Sequence, residues 1–418
     1  MHDALAQYEG MHVSMRVCFV PLDYPSGQSG GGVGTSIQTL ARAMVEKRHQ
    51  VTVFALQSPG EPAARDDAGV RVVRFPQGSL HWYWSKVPIV GHPLALAIRE
   101  LERGWEAWQV LQQLHRQEPF DVIELTEEGG LFVALFMRGV PIVARLHGGP
   151  YTFCKYTPEM PLPFGLRLSR ILQRMALRLA RVLIAPSRAH AQEIATELGL
   201  NHPPIEVIPN TVCMPTTTYP GALNGKIPAT DDPIILYVGR LDRSKGIPAL
   251  LRAAHQVVQE APNVRFVFAG SSHPTLRRTD LDQLMGHLSL NGRVQLLGHV
   301  FRDQLVEWYQ RAQICVLPSY YESFGISALE SMAFGVPVVA TTAGALTEVV
   351  KDRITGFLVP PGNSEALARA LLQLLRSREL RQRMGKAGRE RALRSFGTEK
   401  IVDKTIGTYK RVIVTNSR

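Results

Sequence analysis

Two α/β domains, each doubly wound on a parallel sheet and the pair facing a central cleft, are what this sequence predicts, and three observations carry the prediction. Strand-like and helix-like stretches alternate along nearly the whole chain, the pattern that gives parallel sheets covered by helices. The strands read as near-continuous β-branched or apolar runs, as strands buried on both faces must. At 418 residues the chain exceeds what one ordinary hydrophobic core holds, and its composition breaks near the middle.

The elements follow in order. Residues 1–15 carry charge without an apolar segment, so they read as a loose extension and not as a signal peptide. Residues 16–21 (RVCFVP) form the first strand, followed by a glycine-rich loop and a helix from about Thr35 to Lys47. Strands follow at 49–56 (HQVTVFAL), 70–75, 121–125 (DVIEL), 141–146 (PIVARL) and 181–185 (RVLIA), with a helix around 93–117. Residues 213–233 hold Pro, Thr, Gly and Asn with little periodicity and read as a linker. That divides an N-terminal domain, 16–212, from a C-terminal domain, 234–395. The second series of strands lies at 234–238, 264–269, 294–297, 314–317 and 336–340. Residues 396–418 hold a last helix, from about Glu399 to Val412, with no strand after it. It is expected to cross back to the N-terminal domain. The cleft falls at the carboxyl ends of both sets of strands, where such sheets bind ligands.

Composition excludes several classes. Apolar residues make up 45% and charged residues 20%, close to a soluble globular average. No apolar run approaches the roughly 18 residues of a membrane-spanning helix. Cys18, Cys154, Cys213 and Cys315 lie far apart without a C-x-x-C pair, which argues against a disulfide framework or metal site and fits a reducing cytoplasm. The net charge of +11 suits nucleic acid, an anionic membrane or a phosphorylated small molecule. Nucleic acid lacks support, since there is no zinc-finger spacing, no RNP-type aromatic strand and no basic tail.

Three motifs carry chemistry. Ser29-Gly30-Gly31-Gly32-Val33-Gly34-Thr35 follows the first strand and opens a helix. Glycine lets the backbone approach an anion, and the helix N-terminus adds free amides. It is neither a clean G-x-G-x-x-G nor a P-loop. In Val238-Gly239-Arg240-Leu241-Asp242-Arg243-Ser244-Lys245-Gly246, Arg240 offers a planar fork and Lys245 a point charge, a pair suited to a diphosphate. In Glu322-Ser323-Phe324-Gly325-Ile326-Ser327-Ala328-Leu329-Glu330, a loop enters a helix near Ile326. Its amides can face phosphate, while its two carboxylates suit sugar hydroxyls.

These motifs, with GVPVVATTAGALTEVV and TGFLVPPGN after them, resemble the family-four retaining glycosyltransferases (group 1) of the GT-B fold, in order from Arg16 to about Tyr409. His147-Gly148, Ser187-Arg188 and Ile208-Pro209-Asn210-Thr211 fall where that family has recurring cleft residues. The resemblance implies donor-site roles. The Gly32 amide would meet the diphosphate of a nucleotide-sugar, and Arg240 and Lys245 would neutralise it. Glu330 would take the ribose hydroxyls. Glu322 and the amides of Phe324, Gly325 and Ile326 would hold the transferred sugar, with His147 near its anomeric carbon. Same-face attack and retained configuration are implied, with no protein nucleophile, no metal and no other cofactor. One departure is Asp121-Val122-Ile123-Glu124-Leu125, where many relatives have histidine near the end of the strand; Glu127 and Glu128 follow it.

Rival classes remain at this stage. A sugar-nucleotide epimerase or a phosphorylase can share the scaffold, although no lysine for pyridoxal phosphate stands out. A nicotinamide dehydrogenase would need an acidic residue ending the second strand, where Phe54-Ala55-Leu56 stands. A non-catalytic nucleotide-sugar-binding protein is the third. The acceptor is expected to be a saccharide or a lipid-linked sugar, as in polysaccharide or glycolipid assembly. Residues 165–181 (GLRLSRILQRMALRLAR) suggest how a membrane would enter. On a helix, Arg167, Arg170, Arg174, Arg178 and Arg181 share an arc of about 80°. Leu168, Ile171, Leu172, Met175 and Leu179 form the adjacent apolar stripe. Two readings follow: the arginines meet anionic lipid at the inner face of the membrane, or they are merely solvated while the apolar stripe packs on the sheet. The aromatic loop His81-Trp82-Tyr83-Trp84 is expected at that interface or in an acceptor groove.

Overall fold

The structure, a computed structural model, describes residues 14–21, 24–25, 31–57, 62–75, 91–158, 162–199, 203–211 and 232–416. The N-terminal extension up to residue 13, Ser29 and Gly30, the aromatic loop at 81–84, Cys213 and all but the end of the expected linker lie outside them. Contacts divide the chain into two units. The first takes in the chain up to Tyr151, then Pro161–Thr211 and Thr398–Arg418; the second takes in Thr152–Met160 and Val212–Gly397.

In the first unit the elements run β1 (Arg16–Val20), α1 (Gly32–Glu46), β2 (Gln50–Leu56), β3 (Ala64–Asp67), β4 (Val70–Phe75), α2 (Gly91–Gln117), β5 (Val122–Thr126), α3 (Leu131–Phe136), β6 (Ile142–Arg145), α4 (Pro150–Tyr156, which from Thr152 onward belongs to the second unit), α5 (Phe164–Leu179), β7 (Val182–Ala185), α6 (Arg188–Leu198) and β8 (Ile205–Val207). The sheet order is β3-β4-β2-β1-β5-β6-β7-β8. Strand order reverses between β1 and β5, both parallel to their neighbours. Strand β3 is antiparallel to β4. The sequence reading passed over it because ARDD has neither apolar alternation nor β-branched residues. It forms through a two-residue hairpin whose Ala68 and Gly69 both have positive φ, 56° and 84°. Charges suit such an edge strand.

Alternate strand residues feed two cores. Val17, Phe19, Val51 and Val53 pack with Ile37, Leu40 and Met44 of α1. Cys18, Phe54 and Ile123 pack with Leu111 of α2, Val133 of α3, Leu177 of α5 and Ile194 of α6.

Helix α5 corrects the expected arrangement of arginines. Ile171, Met175 and Leu179 are 52%, 47% and 42% exposed, while Ser169, Arg170, Gln173, Ala176 and Leu177 are buried. The inner face is therefore polar and small, and the apolar stripe points outward. Arg170 is held bidentately by Glu197 of α6 (2.6 and 2.8 Å) and by Gln173 (3.0 Å). Arg178 donates to the Leu198 carbonyl and Arg181 to Asn416. Arg174 is half-buried, and of the five only Arg167, Arg178 and Arg181 are exposed. Glu197, and Glu127 near it, are carboxylates that need a cation, and Arg170 answers them. The expectation of one solvent-facing arginine row is thus overturned, and so is that of an apolar stripe packed on the sheet.

In the second unit the elements are β9 (Ile234–Val238), α7 (Ile247–Glu260), β10 (Arg265–Ala269), α8 (Arg278–His287), β11 (Val294–Gly298), α9 (Arg302–Arg311), β12 (Ile314–Leu317), α10 (Ile326–Ala333), β13 (Val338–Thr341), α11 (Leu346–Val349), β14 (Gly356–Val359), α12 (Ser364–Arg376) and α13 (Arg378–Phe396). The sheet order is β11-β10-β9-β12-β13-β14, reversing between β9 and β12. Strand β13 starts two residues later than expected, because Val336, beyond the end of α10, is still tied back to it: its amide donates to the Ser331 carbonyl at 3.0 Å.

The last helix, α14 (Thr398–Asn416), packs within the first unit. Ile401, Val402 and Tyr409 join the core under α1. Glu124, within the departing segment noted above, has a structural role. It is a buried partner of Arg145, with Nε–Oε1 at 2.7 Å and Nη2–Oε2 at 3.0 Å, and it accepts the Tyr409 hydroxyl at 2.6 Å. Its role is to fasten α14 to β5 and β6. Among the described residues no helix is long and apolar enough to cross a membrane.

Candidate active site

In the second unit the candidate residues gather where strand order reverses, at the carboxyl ends of β9 and β12, the place where open α/β sheets bind ligands. The loop after β9 is shaped by Asp242. Its buried carboxylate accepts from the Ser244 hydroxyl (2.6 Å) and the Lys245 amide (2.9 Å), and lies 3.1 Å from the Arg240 guanidinium. The Tyr237 hydroxyl donates to the Arg240 carbonyl at 2.7 Å. Gly246 ends the loop at φ 71°, and a Cβ there would collide with the Pro318 carbonyl in the loop after β12. Only glycine lets the two loops close up.

That approach brings Lys245 to Glu322, with Nζ–Oε1 at 2.6 Å. The Ser319 hydroxyl donates to the same oxygen at 2.9 Å. The Glu322 carbonyl accepts from the Ala345 amide at 2.9 Å, and Gly344, at φ 55°, leaves the room this needs. The GALTEVV motif therefore acts on the site through the backbone. Arg240 is half-exposed on the same loop as Lys245. The structure thus brings Arg240, Lys245 and Glu322 together.

Gly325, at φ 93°, caps α10, so the amides that follow open a helix N-terminus. The Phe324 side chain is buried edge-on against Phe396, ring centroids 5.6 Å apart, which leaves only its backbone for a ligand. Glu330, one turn inside α10, forms a separate group. It accepts the Tyr309 hydroxyl at 2.9 Å and lies 3.7 Å from Arg302. Burial pushes its carboxyl above the usual range, against the pull of Arg302 and Tyr309.

Gly32 and His147 belong to the first unit. Gly32 is the first residue of α1, which has no acidic residue in its first turn, so its amide lies at a helix N-terminus beside the reversal between β1 and β5. His147 follows β6 and is buried; burial, then Arg145 and His190, lower its pKa to about 3, so the ring is neutral at physiological pH. Beside it lies Glu127, whose burial raises its carboxyl to about 7. Ser187 caps α6, accepting from the His190 amide at 3.1 Å.

Sequence reasoning missed the side chains that hold these groups: Ser319, Asp242, Tyr237 and an aromatic pair on α4. Phe153 of α4 lies over both Lys245 (4.7 Å) and Arg240 (5.7 Å), and Tyr156 stacks on Tyr321 at 4.7 Å. No spacing in the sequence points to them, because α4 precedes the second unit's strands by some eighty residues.

Two parallel α/β units, each with a reversal of strand order, are the architecture of the GT-B glycosyltransferases. Family comparisons agree: residues 224–391 match the glycosyl transferases group 1 and residues 30–213 match glycosyltransferase family 4. The chain belongs to this group 1, family-four set of glycosyltransferases. It is 29% identical to a D-inositol 3-phosphate glycosyltransferase of Xylanimonas cellulosilytica, over 93% of this chain and 94% of the relative. It is similar to the sucrose-phosphate synthase structure from Thermosynechococcus elongatus, with TM-score 0.78 and 25% identity over 96% of this chain and 100% of that one. Its fold also matches an Anabaena protein, HepE, solved with UDP and glucose, with TM-score 0.69 and 22% identity over 95% and 100% of the two chains.

Proposed function

We propose that this glycosyltransferase moves a hexose-type sugar, with retained configuration and without a metal, from a nucleoside-diphosphate donor to a saccharide or lipid-linked acceptor. The observation that carries the reading is the 2.6 Å contact of Lys245 with Glu322 at the β9–β12 reversal, with Arg240 on the same loop. Two cations beside a carboxylate suit a sugar diphosphate: charge for the leaving group, an acceptor for hydroxyls. As the glycosidic bond breaks, negative charge grows on the diphosphate and positive charge on the sugar. Arg240, Lys245 and the α10 amides stabilise the first, the work a divalent metal does in other transferases. Retention follows from same-face attack, with the departing phosphate oxygen taking the acceptor's proton. Glu322 orients the sugar, and His147, neutral by burial, donates or accepts hydrogen bonds without adding charge.

An epimerase or a simple binding protein on the same scaffold would release no nucleotide. Incubation with UDP-, GDP- and ADP-sugars and saccharide acceptors separates these, since transfer frees nucleoside diphosphate from one donor class, and absence of release from all of them refutes the proposal.

Peripheral attachment to an anionic membrane is a second reading, supported by an observation other than the expected arginine row. The outward face of α5 presents Phe164 (62% exposed), Ile171, Met175 and Leu179, with Arg167, Arg178 and Arg181 also exposed. An apolar face beside basic residues suits an interfacial helix.

A further inference from the structure

Phe153 stands outside every motif that suggested the donor site, yet its ring contacts both cations of that site. We propose that Phe153 is a positioning residue for the donor diphosphate: its ring face fixes Lys245, and with it Arg240, where the leaving group is met. The proposal rests on the reading of Arg240 and Lys245 as diphosphate-binding residues.

The Lys245 ammonium lies 4.7 Å and the Arg240 guanidinium carbon 5.7 Å from the ring centroid, both within the roughly 6 Å over which a ring's negative face attracts a cation. Two like charges held close repel, and before donor binds no diphosphate offsets that cost. Asp242 serves Arg240 and Glu322 serves Lys245, while among the described residues the Phe153 ring lies against both cations. Lys245 is enclosed between that ring and Glu322, its side chain 14% exposed. Arg240 is half-exposed, and a long side chain at such a position loses rotamer freedom on binding unless something has already confined it.

The ring is itself well placed. Tyr156, one turn on, stacks on Tyr321 with the planes 9° apart. The Thr157 hydroxyl donates to the Phe153 carbonyl at 2.6 Å, and Thr152 and Cys154 are buried on either side in sequence. Phe153 also meets Tyr321 edge-on at 6.3 Å, beside Glu322 in the chain. An aromatic run from α4 thus backs the cations and the carboxylate together. Water kept off one side of the ammonium strengthens its hold on phosphate.

The test compares wild type with Phe153→Leu, which keeps apolar bulk but removes the ring, and Phe153→Tyr, which restores a ring face. Calorimetric titration with UDP, GDP and ADP should show affinity falling about 3- to 20-fold in Phe153→Leu and recovering to within about twofold in Phe153→Tyr, the range expected for losing a partly desolvated cation–π contact. Without ligand, the Lys245 side-chain NMR signals should show an upfield ring-current shift that Phe153→Leu abolishes. Unchanged affinity in Phe153→Leu, equal losses in both variants, or no ring-current shift in wild type overturns the proposal. A Phe153→Leu protein that unfolds earlier but binds as well as wild type assigns the ring to packing and also overturns it. Should wild type bind none of the three nucleotides, the diphosphate reading of Arg240 and Lys245 is what fails, and the ring-current comparison still decides whether Phe153 positions them.

Discussion

Glu322 and Glu330 share one motif but meet different partners, and their chemistry separates accordingly. Glu322 faces Lys245 and Ser319, while Glu330 faces Tyr309 and Arg302. If Glu330 takes ribose hydroxyls, Glu330→Gln weakens binding of free nucleoside diphosphate, since the ribose is present with or without the sugar. Glu322→Gln instead spares that binding, because it leaves Lys245 free for phosphate, and lowers sugar transfer. Calorimetry beside turnover measurements checks this, and equal loss of affinity in both variants contradicts it. A pH effect follows from Glu127. Its carboxyl, 4.5 in the reference state, is raised to about 7 by burial, so between these values the folded chain binds more protons than the unfolded one. Its favourable contribution is complete below about 4.5 and is lost as pH rises through 7. His147 and His190, lowered by burial to about 3 and about 4, act oppositely, costing stability as pH falls below 6.5. Glu127→Gln should therefore stabilise the protein by on the order of 1–3 kcal/mol more at pH 8 than at pH 5. Denaturant unfolding at both pH values measures it, and a difference independent of pH contradicts the assignment. At this scale the sequence exposed the residues whose chemistry is intrinsic: Arg240, Lys245, Glu322 and Glu330. Phe153 stayed hidden because its role comes from proximity that folding creates between distant segments, whereas Asp242 and Ser319 act within their own loops and carry no chemistry that marks them before the loop is folded.

Among the elements, α5 shows what periodicity can and cannot say. A 3.6-residue period revealed two stripes, and ordinary hydrophobic reasoning turned the apolar one inward. The fold turns it outward because Glu197 on α6 and Glu127 after β5 claim Arg170, and a buried carboxylate without a cation costs more than an exposed aliphatic row. If the outward face docks on lipid, flotation with vesicles rich in anionic lipid should carry the wild-type protein, and Ile171→Glu with Met175→Glu should release it. Salt should weaken binding only in part, since the apolar insertion is unscreened while the arginines are screened. Wild type that stays unbound at low salt, or a double variant that floats equally well, contradicts the docking. Self-association without flotation gives the face to a second copy instead. The short edge strands β3 and β8 were equally hidden, because a short strand without a continuous apolar run carries too little pattern to stand apart from loop. The buried strands were plain even where short: β1, β5 and β12 fell within a residue of their expected limits, since burial on both faces imposes continuous apolar runs.

For the whole molecule, two alternating α/β series and the motifs of the second carried the fold and family before any coordinates. The second unit was legible because its motifs keep their charges and glycines close together in the chain. The first was less so: Glu124, within the segment that departs from the family's pattern, proves to fasten α14 in place. The central claim is that Arg240 and Lys245 do the work of a metal on a departing nucleoside diphosphate. It is tested most directly by the rate of nucleotide release from the preferred donor with acceptor present, with and without EDTA, in wild type, Arg240→Ala and Lys245→Ala. The account predicts a wild-type rate unchanged by EDTA and losses in each variant corresponding to roughly 2–4 kcal/mol of transition-state stabilisation; a strict requirement for divalent metal, or variants within twofold of wild type, would contradict it.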